Sequence, residues 1–409
     1  MVKEDSLDPK SVQGVKYLKS AFRLLERLAP AGTERDSAGN RKLLFSHYTG
    51  LILLGLFNPT LQSLRGLQQL SGLRPQLSGL RKVQKLLGSR SASLGSLSES
   101  VRVFDPALME PILQELIAKL PKNLRRQPPA NLPEELVRRL VAVDGSVLKT
   151  LPQIVAAAGS QNVDWRLHLQ FEVFRGVPGT AVITENNVGG EADERSVLAR
   201  TLESGKTYLI DAGYERYELF EQIVQGQSDY ICRVQRRKLK LLQQRTLSDA
   251  ARTAGILSDD IVLPGRSRAG IGLITHTVRR IVIKAESSPG RRRSDRKRSD
   301  EIILLTSLLD VPAEVIAAMY RLRWLIELFF RFFKHVLGCR ELISLKTEGV
   351  AIQVYCALIA ALLLSLAAGA SVGRRGFELV CLFFQGWADE DEVIAGLEKL
   401  ARAKNRSSR

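Results

Sequence analysis

The chain has 409 residues, with 60 Lys and Arg against 43 Asp and Glu and a formal charge of +17. That length favours two or three compact units, and a hydrophobic content of 45% excludes a disordered chain. The basic balance points to a polyanionic partner, nucleic acid ahead of an acidic membrane surface.

Met1 to Asp8 is charged and lacks the apolar run of a signal peptide, so a cytoplasmic, nucleoid-associated protein is expected. Residues 1–125 read as a helical DNA-binding region. Leucines recur through Leu51, Leu53, Leu54, Leu56, Leu61, Leu64, Leu67 and Leu70, interleaved with Arg65, Arg74, Arg81 and Lys82. Basic residues on short helices fit a DNA-binding bundle, and equally fit ordinary solvated faces. Ser96 or Ser98 is expected to cap one helix, and Asp105-Pro106 or Pro111 to open another that Pro121 stops.

Pro128, Pro129 and Pro133 mark a linker, after which the pattern changes to α/β. In residues 126–235, Leu140 to Val143 is a short apolar run that reads as a buried strand ending in Asp144. Strands are also expected over Leu167 to Phe174 and Thr180 to Thr184, flanking a turn at Gly176-Val177-Pro178-Gly179, with a helix over Glu191 to Leu202. Tyr208-Leu209-Ile210 repeats the first device and ends in Asp211, and Ser228 to Val234 reads as the next strand.

Residues 236–299 read as a basic, β-rich insertion, with strand-like runs at Ile271 to Thr277 and Arg280 to Lys284 and six cations within Arg291 to Arg298. Residues 300–372 resume the core with a strand at Ile302 to Leu305, and residues 373–409 form a helical tail. Val350 to Val372 is apolar enough to raise the question of a membrane span, but reads better as a buried core helix.

Asp310 and Pro312 open a helix whose polar residues Tyr320, Arg323, Glu327 and Lys334 fall within an arc of roughly 60°. Most other positions are apolar, Trp324 included, which is read as core packing. Buried charge is expensive unless paired or bound, so the stripe suggests a site for a metal and a polyanion. Asp144, Asp211 and Glu327 together form a set of carboxylates able to hold divalent metal. His47, His168, His276 and His335 lack partners at metal-ligand spacing and read as structural. Cys232, Cys339, Cys356 and Cys381 contain no CxxC pair, which argues against a zinc finger and fits a reducing compartment.

The spacing Tyr320-x2-Arg323-x3-Glu327-x6-Lys334 resembles the Tyr-Arg-Glu-Lys motif of bacterial insertion-sequence transposases with an Asp-Asp-Glu triad. Val143-Asp144-Gly145, Ile210-Asp211-Ala212-Gly213-Tyr214 and Leu337-Gly338-Cys339-Arg340 are similar to further blocks of that family. The resemblance covers roughly residues 135 to 372. It implies a ribonuclease-H-like core interrupted by a β-rich insertion, although residues 236–299 hold no Trp, Phe or Tyr where some relatives carry a stacking aromatic. It also implies that Asp144, Asp211 and Glu327 bind Mg2+ or Mn2+ and are catalytic, and that Tyr320, Arg323 and Lys334 contact DNA. The expected activity is cleavage at element ends and joining of the 3′-hydroxyl to target DNA by two-metal phosphoryl transfer, on double-stranded DNA, as a homodimer and without a membrane. The alternatives are a metal-dependent nuclease of the same fold without strand transfer, and a domesticated DNA-binding protein.

Overall fold

The computed structural model describes residues 23–28, 41–57, 63–72, 91–119, 131–151, 164–186, 190–235, 239–263, 274–285, 301–335, 341–367 and 374–385, with isolated positions between and beyond them. The basic run at Arg291 to Arg298, and Arg74, Arg81 and Lys82, lie outside these.

Helices α1 (Phe45–Leu56), α2 (Leu64–Gly72), α3 (Leu94–Val103), α4 (Met109–Lys119) and α5 (Glu134–Arg139) come first. Strands β1 (Leu140–Thr150), β2 (Asp164–Glu172) and β3 (Val177–Glu185) follow, then α6 (Glu194–Arg200), β4 (Thr207–Ile210), α7 (Tyr217–Gln225) and β5 (Asp229–Val234). Next are β6 (Lys240–Gln244), α8 (Asp249–Thr253), β7 (Ile256–Leu263), β8 (Val278–Lys284) and β9 (Glu301–Thr306). The chain continues through α9 (Ala313–Arg321), α10 (Trp324–His335), β10 (Glu341–Leu342), α11 (Thr347–Ala367) and α12 (Arg374–Gln385).

These elements fall into two compact units, one of residues 1–125, 147–165 and 329–409 and the other of 126–146 and 166–328. In the first, α11 is the hub. Every residue from Gly349 to Leu363 is buried, and α1, α4 and α12 pack on it. An all-round apolar helix belongs inside such a bundle, and among the described residues no helix is long and apolar enough to cross a membrane. Its one buried amide, Gln353, accepts a bond from the Ile343 N–H at 2.9 Å. Phe45 of α1 stacks on Phe104 with centroids 4.7 Å apart. The cap of α3 is Ser93, whose hydroxyl accepts from the Ser96 N–H, rather than Ser96 or Ser98. Asp105 caps the short 3-10 turn that leads into α4.

The second unit is built on a mixed sheet with strand order β3-β2-β1-β4-β5-β9-β8-β7-β6. Its first five strands have the 3-2-1-4-5 order of a ribonuclease-H-like core, with β1, β4 and β5 parallel. β4 is a continuous apolar run because both its faces are covered, and all four residues are buried. The crossover helix α7 packs Leu219, Phe220 and Ile223 inward, and Phe220 stacks on Tyr230 of β5 at 4.3 Å. The turn between β2 and β3 is Val173–Gly176, closed by the Gly176 N–H on the Glu172 carbonyl, so Val177-Pro178-Gly179 already belong to the strand. Gly176 takes φ +64°, the left-handed conformation that glycine accepts most readily.

The strands of residues 236–299 do not form a separate layer. β7, β8 and β9 pair antiparallel and β9 pairs with β5, so the insertion widens the same sheet. Ile274 to Thr277 is not strand, and 271–273 lie outside the described residues. Arg279 of β8 is fully buried, bonded twice to Asp259 at 2.7 Å, and its Nη1 donates to the carbonyls of Leu308, Leu309 and Val311. The insertion thereby grips the loop that launches α9.

Candidate active site

Asp144 does not end its strand. β1 runs on to Thr150, and Asp144 is its fifth residue. Gly145-Ser146 reads locally as a turn, but the extended backbone continues and later pairs with β10 at Lys149 and Thr150. What does end near Asp144 is the neighbour: β4 stops at Ile210. The parallel register sets Leu140 beside Thr207 and Ala142 beside Leu209, an offset of 209 − 142 = 67. Asp211 follows Asp144 by 211 − 144 = 67, so the same register carried two residues on brings Asp211, one residue past β4, level with Asp144. Each is tied to its own backbone, with Oδ1 of Asp144 accepting from the Gly145 N–H and Oδ1 of Asp211 from the Gly213 N–H, both at 2.8 Å.

The polar stripe lies on two helices rather than one. Three-residue hydrogen bonds from Leu322 N–H to Met319 and from Arg323 N–H to Tyr320 tighten the end of α9, and α10 restarts at Trp324. Tyr320 therefore belongs to α9, Arg323 to the junction, and Glu327 and Lys334 to α10. Trp324 is 49% exposed and Leu328 40%, so α10 is buried on one side only and Trp324 is not core packing. Arg323 is the link between motif and strands: its guanidinium bonds Glu327 one turn along and lies 3.8 Å from Oδ2 of Asp144. Lys334 is half-buried, in the part of α10 that belongs to the other unit.

The electrostatics follow from this crowding. Burial, reinforced by Asp211 and Glu194, pushes Asp144 up to about 6 against the pull of the Gly145 N–H and Arg323. Burial also holds the Tyr320 phenol far above its usual range, with Arg323 opposing and Asp211 among its negative neighbours. The donors are hard carboxylate oxygens, the type that suits Mg2+ or Mn2+. Among the described residues no three Asp, Glu, His or Cys side chains converge at metal-holding distance; Glu327 joins Asp144 through Arg323.

Two residues escaped the sequence reading. Glu194, at the start of α6, lies against both aspartate loops, and Arg166 of β2 holds it. In sequence Glu194 looks like an ordinary acidic residue in a first helical turn, and Arg166 like an outward strand position.

The family model for the transposase DDE domain matches residues 135–363, more than half of the chain. The chain is a member of the DDE transposase family. A Sinorhizobium fredii protein named as a transposase, y4zB, is 30% identical over 204 residues, covering 50% of this chain and 53% of the relative. The transposase for insertion sequence element IS421 of Escherichia coli is 25% identical over 253 residues, covering 56% and 65%. The chain thus spans between half and two thirds of the length of these relatives. For this DDE family member the matched segment contains Asp144, Asp211, Glu327, Tyr320, Arg323 and Lys334, and ends inside α11.

Proposed function

We propose that the protein is a DNA transposase that cleaves the ends of its element and joins the exposed 3′-hydroxyl to target DNA. Asp144, Asp211 and Glu327 are the catalytic carboxylates and would hold the divalent cations, Mg2+ or Mn2+. Once bound there, such a cation supplies Lewis acidity toward the scissile phosphodiester and eases deprotonation of the attacking water. The observation that carries the reading is the level placement of Asp144 and Asp211, with Arg323 tying that pair to Glu327.

The protein's own groups do the rest. Arg323 presents a planar fork suited to bidentate grip on phosphate, while Lys334 offers a point charge and Tyr320 a hydroxyl kept protonated by burial. The net charge of +17 favours the DNA backbone along the whole molecule. Two ends must meet, so the working form is a homodimer on DNA, with residues 1–125 contributing further DNA contacts.

The test uses labelled duplexes carrying the sequences that flank the gene, a plasmid target and Mg2+ or Mn2+. Joined products from the wild type and none from Asp211→Ala are expected. Equal product from both would sink the assignment of Asp211, and cut ends never joined would favour a nuclease.

A further inference from the structure

Glu194 is wedged between the two aspartate loops. A Cβ placed on Gly145, the residue directly after Asp144, would stand 2.5 Å from Glu194 Oε1. One placed on Gly213, two residues after Asp211, would stand 3.1 Å from Asp211 Oδ1 and 3.5 Å from Glu194 Oε2. Glu194 thus lies against both aspartate segments, and at Gly145 it is the missing side chain that permits the approach. Arg166 bonds Glu194 Oε1 through Nη1 and is itself steadied by Asn186 Oδ1 at 3.0 Å. The Tyr214 hydroxyl, fully buried and without a hydrogen-bond partner among the described residues, lines a small cavity together with Glu194 and His168. A buried hydroxyl left unpaired beside a carboxylate is uncommon.

Like charges repel; Arg166 offsets Glu194 and Arg323 stands 3.8 Å from Asp144, so two cations face three carboxylates. A residue kept solely for packing would be apolar here, because a neutral side chain of that size would fill the wedge without adding repulsion. The arrangement makes physical sense where a cation arrives to relieve it.

We infer that Arg166 and Glu194 are positioning residues: their pair fixes the separation of Asp144 and Asp211, and Glu194 adds a further negative charge that strengthens divalent-cation binding there. This rests on the reading that Asp144 and Asp211 hold the metal. Residues that support metal ligands from behind typically change affinity 10–100-fold when altered.

The experiment is Mn2+ binding to the purified full chain without DNA, by calorimetry and by the electron paramagnetic resonance of free Mn2+, alongside the melting temperature in chelator. Glu194→Gln keeps the shape and removes the charge; it is expected to weaken Mn2+ binding about tenfold with the chelator melting temperature unchanged or raised. Should that variant fail to fold, Arg166→Met with Glu194→Leu replaces the ion pair by apolar volume, a change such sites tolerate, and predicts the same loss. Mn2+ affinity equal to wild type in either folded variant, while Asp211→Asn loses binding, overturns the inference and leaves the metal reading intact. If wild type and Asp211→Asn bind Mn2+ equally, the metal reading fails and this inference falls with it.

Discussion

Asp144 within β1 and Asp211 just past the end of β4 stand level because their separation in sequence, 67 residues, equals the register offset of the two strands. The aspartate pair is therefore a property of strand pairing, and any shift of register would separate the two side chains. Because Asp144 is pushed up to about 6 by burial and its acidic neighbours, its ionised form is held at a cost to the fold. Asp144→Asn should abolish strand transfer and at the same time raise stability in chelator by about 1–2 kcal/mol at pH 7. Urea denaturation beside the strand-transfer assay checks both halves; an unaltered or lowered stability would contradict the crowding.

The pH dependence of stability carries two opposing contributions. Asp144 has a folded pKa of about 6, above its unfolded value near 3.9, so the folded state binds the extra proton and stability falls as pH rises between about 4 and 6. His168 is driven the other way, to about 4, by burial and then by Arg166 and Arg200. Its contribution is complete above about 6.5 and is lost as pH falls toward 4. Each amounts to at most about 3 kcal/mol, and in the wild type they offset. Relative to wild type, Asp144→Asn should lose stability on acidification through this window, whereas His168→Gln should gain it. Melting temperatures at half-unit pH steps would measure the two slopes; parallel curves for all three proteins would refute the pairing.

Gly145→Ala probes the wedge directly. The new methyl would meet Glu194 Oε1 at 2.5 Å, and the grip of Arg166 stops that carboxylate from moving aside. A destabilisation of about 1–3 kcal/mol is expected. Most of it should disappear when Glu194 is already alanine, giving a favourable coupling in the double-mutant cycle. Additive effects would mean that the two residues do not touch in solution.

Arg279 and Asp259 are both buried and bonded to each other, at 1% and 5% exposure. Removing Arg279 leaves the buried Asp259 with only Arg245, 3.9 Å away, so Arg279→Met should destabilise by about 3–5 kcal/mol. The same change also frees the carbonyls of Leu308, Leu309 and Val311, and hydrogen exchange should rise at the start of α9 before it rises in β4.

Lys334→Ala should weaken binding to element-end duplex and lower the salt dependence of that binding by about one phosphate contact. A salt slope identical to wild type would remove Lys334 from the DNA contacts.

How much of this was legible in the sequence depends on the range over which each feature is decided. Continuous apolar runs gave away β4 and α11, since burial on all sides leaves no alternation to misread. The motif spacing singled out Arg323 and Glu327, and the four-residue step brings the two side chains together across the junction. The break at Leu322 was hidden, as no Gly or Pro marks it; local three-residue hydrogen bonding alone ends α9. Gly145-Ser146 looked like a turn because its strand-forming partner, β10, lies nearly two hundred residues downstream. Glu194 was invisible for the same reason: its meaning comes from Gly145 and Gly213, which lie in a strand and a turn distant from it in sequence.

The order of the sheet also bears on how the protein is made. β6, β7, β8 and β9 pair with their neighbours in sequence, whereas β1 must find β4 across an offset of 67 residues. Contacts of short range form first, because less chain has to be closed to make them. The outer meander of β6 to β9 therefore has a head start, whereas β9 reaches β5 across about as much chain as separates β1 from β4. Asp144 and Asp211 come level only when β1 pairs with β4, so that long-range pairing, and not the local meander, decides when the two carboxylates meet.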